Sequence, residues 1–99
     1  LVTGTLINNH SNLEVAIDST TNFNEINDTY ISSYDFIKDQ NTIGYNWKEY
    51  FHDTQTFSIN SHINYIIKKN NNTFFKLRFI DYYNNLGEKG FPKIEIQKL

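Results

Sequence analysis

The chain has no cysteine and no methionine, and only one proline and four glycines, in 99 residues. The lack of cysteine excludes a disulfide framework and any thiolate metal site, although it leaves the compartment open, since many bacterial surface proteins have no disulfides. No run of about 18 apolar residues occurs, so no stretch reads as a membrane-spanning helix. No charged block of one sign occurs either. Nine Lys and Arg residues stand against eleven Asp and Glu, a formal net charge of −2, and the basic residues are scattered. Nucleic-acid binding by phosphate neutralisation is therefore disfavoured. The opening LVTGTLI carries no initiator Met and no secretory leader, and it reads as a piece cut from a longer polypeptide.

What the chain does have is aromatic bulk. Seven Tyr, eight Phe and one Trp make up 16% of the residues, enough to fill one small core although the mean hydropathy is −0.58. Charged residues are only 20%, so the low hydropathy reflects abundant Asn, Ser and Thr. The expectation is one folded β domain over residues 1–99, with a polar, nearly neutral surface.

The clearest pattern lies at the end. Phe75, Leu77 and Phe79 alternate with Phe74, Lys76, Arg78 and Ile80, the period of two that separates the faces of a sheet, and they read as the core face. Ile94 and Ile96 alternate with Lys93, Glu95 and Gln97, the pattern of a strand packed on one side. Between them Asn84, Asn85, Gly87 and Gly90 suit a tight reversal. Ile63, Tyr65 and Ile67 form an earlier alternating run that turns at Asn70 to Asn72. Strands at about 62–69, 73–83 and 91–98 thus make an antiparallel β-meander.

Upstream, Val2, Thr3, Thr5 and Ile7 favour an extended backbone, and Leu13, Val15 and Ile17 alternate after a polar turn. These two runs read as a hairpin with His10 in its loop. Phe23, Ile26, Tyr30, Tyr34 and Ile37 recur at helical spacing, and Asn22 with Glu25 matches a capping box. The intervening Asn, Thr, Ser and Asp compete for backbone hydrogen bonds, so a meandering segment with short strands is favoured over a regular helix. Tyr45, Trp47, Tyr50 and Phe51 crowd around Gly44. They read either as core anchors under the C-terminal sheet or as the wall of a pocket for a flat ligand. A brief strand at Thr56 to Ile59 follows.

Catalytic patterns are weak. Asp35 and Asp39, and likewise Glu49 and Asp53, lie four apart, but on so polar a surface such pairs are mostly solvated charges. Ser58, Ser61 and His62 show no nucleophile-elbow pattern. Lys89 between Gly87 and Gly90 lacks phosphate-loop spacing and has Glu88 beside it. The chain is read as a non-enzyme.

The last part of the chain resembles the HmuY-like family of haem-binding surface lipoproteins of Bacteroidota. The similarity rests on Lys76 to Phe79, Asp81 to Asn84, Gly87 to Gly90, Phe91-Pro92 and Ile94 to Ile96, with IGYNWKEY from Ile43 to Tyr50 as a second feature. It covers about the last 57 residues, and the first 40 match only loosely. The resemblance implies an all-β, largely antiparallel sheet or sandwich and an extracellular, outer-membrane-surface lipoprotein anchored by a lipid outside this stretch. It further implies capture of haem or a related planar ligand for iron acquisition, with an outer-membrane transporter as partner.

Family members hold the iron with two axial side chains, histidines or methionine. With no Met here, His10 and His52 are the candidate haem ligands, and Tyr45 and Trp47 the candidate pocket wall. His62 opens a strand and has the weaker claim. A bis-histidine site needs two neutral imidazoles on opposite sides of the porphyrin in an apolar slot, whereas loop histidines are most often solvated and without a role. The alternative is a structural or protein-interaction β module of the same fold without a haem site.

Overall fold

The computed structural model describes residues 12–39, 42–44, 46–70 and 72–99. Six strands are formed: β1 (Glu14–Asp18), β2 (Lys48–Phe51), β3 (Thr56–Ile59), β4 (Asn64–Asn70), β5 (Thr73–Tyr83) and β6 (Lys89–Lys98). Strands β1, β4, β5 and β6 make one antiparallel sheet in the order β1-β4-β5-β6, and β2 pairs with β3 in a separate two-stranded sheet. The all-β class and the closing meander are as the sequence patterns lead one to expect. The strand expected over residues 1–7, and with it the first hairpin, lies outside the described residues. At Val15, however, the outer edge of β1 is taken by Ile37, which exchanges two backbone hydrogen bonds of 3.0 Å with it.

The turns follow from local chemistry. At the β4–β5 reversal the Asn70 side chain accepts from the Asn72 N–H at 2.9 Å, an Asx turn that replaces a backbone bond. At β5–β6, Asn84 Oδ1 accepts from the N–H groups of Leu86 and Glu88, both at 2.9 Å, and Gly87 sits at φ +76° where a Cβ is strained. Residues 23–36 form no α-helix. Short 3-10 helices occupy Phe23–Glu25 and Asp28–Ser33, capped by the side chains of Asn22 and Asn27. These short polar side chains hold the backbone in turns, which is why the helical spacing of the apolar residues never becomes a regular helix.

Both faces of the main sheet are covered. On one, Val15, Tyr65, Leu77 and Phe79 pack with Ile43, Trp47 and Tyr82 under the β2–β3 hairpin. Between the pairs Phe79–Ile94 and Asp81–Lys93 the β5–β6 register shifts by one residue on β5. Such a bulge resets the alternation, so Phe79 and Tyr82, three apart, both reach Trp47. On the other face Ala16 and Ile66 pack against Ile26, with Ile31, Tyr34 and Phe36 around them.

Two expectations about faces change. Ile94 and Ile96, read as packed, are 48% and 50% exposed. They share a face with Phe79 and Leu77, but β6 is the edge strand and the Trp47 layer lies over β5. Lys76, on the opposite face, is only 5% exposed. Its ammonium donates to the carbonyls of Phe23 at 2.6 Å and Ile26 at 3.0 Å, satisfying a buried charge with backbone dipoles and fastening the 3-10 segment to the sheet.

Candidate functional site

The β2–β3 hairpin carries the aromatic cluster singled out in the sequence. Tyr50 and His52 lie two apart and their rings meet edge to face at 4.8 Å, while Tyr50 packs on its cross-strand partner Phe57 at 4.8 Å. Tyr50 is 39% and Phe51 45% exposed, and His52 is exposed at the start of the turn. Among the described residues the His52 imidazole has no hydrogen-bond partner. Tyr50 and Phe57 therefore form an aromatic strip on one face of the hairpin with the His52 imidazole at its end, while Phe51 lies on the other face.

Beneath it lies the rigid support. Trp47 is 1% exposed and stacks on Phe79 with centroids 4.2 Å apart, and its Nε1–H donates to the Gly44 carbonyl at 3.0 Å. Its indole belongs to the core instead of presenting an open face to a pocket, because the bulged β5 brings Phe79 and Tyr82 against it. Lys48 buries its ammonium among the rings of Trp47, Phe57 and Tyr82 at 4.8, 4.9 and 4.2 Å. No hydrogen-bond acceptor reaches that ammonium among the described residues, so the ring quadrupoles alone face the charge. Burial pushes the Tyr65 hydroxyl up to about 12, and it too lacks a partner.

His10 and Tyr45 lie outside the described residues, so of the four candidate residues the structure places His52 and Trp47 only. His62 sits in the turn ahead of β4, exposed, and Asp35, Asp39, Glu49 and Asp53 are all exposed. Among the described residues no three His, Asp or Glu side chains gather as metal ligands.

On the opposite face of the main sheet, two adjoining clefts open beside the bend Ser19 to Thr21. Sequence reasoning passed over this place because its residues are ordinary polar ones, brought together only by the fold. Asp18 fixes the bend: its Oδ1 accepts from the Thr20 N–H at 3.0 Å and the Thr21 N–H at 2.9 Å, and its Oδ2 from the Tyr34 hydroxyl at 2.6 Å. Burial opposes ionisation of Asp18, but these hydrogen bonds, led by that of Tyr34, outweigh it and hold the carboxyl down to about 2. Burial, and then the same pairing with Asp18, push the Tyr34 hydroxyl up.

With the fold and these surfaces in view, comparison with known families is decisive. The family model described as HmuY protein matches residues 3–96. The chain belongs to the HmuY family. The match runs well beyond the C-terminal motifs, into the stretch of β1 and the 3-10 segment where the sequence resemblance is loose. No curated protein and no solved structure matches the chain. As an HmuY-family chain it places Ile43 and Trp47 in the core layer and Lys48 to Tyr50 at the start of β2. The closing motif from Lys76 to Ile96 runs along β5 and β6.

Proposed function

We propose that this HmuY-family chain is a non-enzymatic binding protein of the outer-membrane surface that captures haem, or a related planar ligand, for iron acquisition and passes it to an outer-membrane transporter. One observation carries the reading. The β2–β3 hairpin presents an unpartnered imidazole, His52, edge to face with the exposed Tyr50 ring, which in turn packs on Phe57. A haem iron requires a neutral imidazole donor beside apolar surface for the macrocycle, and this strip fits on both counts. His52 and His10, from the segment before β1, would hold the haem iron, and Tyr45 would complete the aromatic wall. Trp47 acts from below, holding β2 to the sheet. The bound group supplies the iron; the chain supplies orientation and exclusion of water.

Haemin titration followed by the Soret band tests this. A shift is expected in the wild type, weaker in His52→Ala and in His10→Ala, and absent in the double variant. No shift in the wild type, or an unchanged one in the double variant, overturns the assignment. A second reading, a protein-interaction module of the same fold, is favoured by the edge strand β6, where Phe91, Ile94 and Ile96 are 51%, 48% and 50% exposed. It takes precedence if haemin fails.

A further inference from the structure

The bend Ser19 to Thr21 separates two clefts that share its residues, one of about 380 Å³ and one of about 360 Å³. Each falls within the range of small-ligand sites, roughly 300–1,000 Å³. The first is walled by Ser61, His62, Asn64 and Arg78, the second by Tyr30, Ser33 and Tyr34.

The walls are held in place by hydrogen bonds among their own residues and the segments beneath them. Asp18 ties the bend through Thr20, Thr21 and Tyr34, as described above. Asn64 donates from Nδ2 to the Thr21 carbonyl at 2.7 Å, and Lys76 clamps the carbonyls of Phe23 and Ile26. The clefts are thus largely pre-formed, which lowers the ordering entropy lost on binding.

Several polar groups in the walls remain without partners. Asn64 is 2% exposed, and its Oδ1, itself shut off from solvent, has no donor among the described residues. Ser19, Ser61 and His62 make no hydrogen bond among the described residues. The charges in the two linings are compensated. Arg78 is paired with Glu95 at 2.6 Å and lies over the Phe23 ring at 4.4 Å, and Asp18 is saturated by its donors. An anion therefore gains little there. A porphyrin would leave the hydroxyls of Ser19 and Ser61 and the His62 imidazole at the rim unmet.

The ligand that answers this wall carries many groups that each donate and accept, has no net charge, and offers C–H faces to the half-buried rings of Tyr30 and Tyr34. We propose that the two clefts form one groove that binds a neutral oligosaccharide, separate from the His52 strip and on the other face of the sheet.

Titration of the isotope-labelled protein by two-dimensional amide NMR tests this with maltotriose, chitotriose and mannotriose as probes, and with glycerol and citrate as controls. At least one trisaccharide is expected to shift the Asn64 side-chain amide and the backbone signals of Thr20, Thr21 and His62, with Kd on the order of 1 mM. Tyr30→Ala and the cleft-filling Ser61→Trp, both at positions off the buried core, should weaken it roughly tenfold or more. His52→Ala should leave it unchanged. Unshifted signals with all three trisaccharides overturn the proposal. So do equal shifts from glycerol, shifts from citrate alone, or trisaccharide shifts that survive both groove variants.

Discussion

Asp18→Asn removes the charge that fixes the bend between the two clefts while keeping an oxygen able to accept from the Thr20 and Thr21 N–H groups. The folded carboxyl lies at about 2 against an ordinary value of 3.8. That gap corresponds to roughly 2 kcal/mol of stability, since one pKa unit is about 1.4 kcal/mol. A depressed folded value means that the unfolded chain binds the proton first. The stabilisation is therefore complete above the unfolded value near 3.8 and is lost as the pH falls through about 2. About half of it should be gone near pH 3. Asp18 is only 7% exposed, so solvent screening does not erase the effect. Urea denaturation of wild type and Asp18→Asn at several pH values from 6 down to 2 reads it as a difference. The gap between the two proteins should narrow by about 2 kcal/mol on acidification, whatever constant offset the amide introduces. Parallel curves refute the argument, because the carboxylate would then not be held by its hydrogen bonds. Tyr34→Phe, which deletes the 2.6 Å bond to Oδ2, should shift the acid limb to higher pH.

Other substitutions probe the packing and are read by the same denaturation assay. Trp47→Ala should cost about 3–5 kcal/mol, because it removes the ring stacked on Phe79 and leaves a cavity. Tyr65→Phe removes a buried hydroxyl with no partner and should be neutral or raise stability by about 1 kcal/mol; a clear loss would mean that the hydroxyl is satisfied in solution. Leu77→Ala should cost about 2–4 kcal/mol, whereas Ile96→Thr, its half-exposed neighbour on the edge strand, should stay within roughly 1 kcal/mol of wild type.

The residues differ in how far sequence alone could place them. The β5–β6 hairpin is legible because period-two alternation and Asn-Gly turn chemistry are local properties, acting between neighbours in the chain. The exposed Tyr50 and His52 strip is half legible: the aromatic density is visible, but which of Trp47 and Tyr50 turns inward depends on the β5 bulge. Ile94 and Ile96 carry the same pattern as Leu77 and Phe79, yet they stay half-exposed because the β2–β3 layer lies over β5.

By itself the sequence determined the all-β class, the closing meander, the turns and, through its motifs, the family. Only the tertiary structure decided which faces are covered, that Lys76 is buried, and that an oligosaccharide-sized groove exists at all. The groove joins Thr21 to Asn64, 43 residues away, and the clamp beneath it joins Phe23 to Lys76, 53 residues away. Periodicity records which side of a strand a residue takes. What lies against that side is set by distant segments, and no local pattern encodes it.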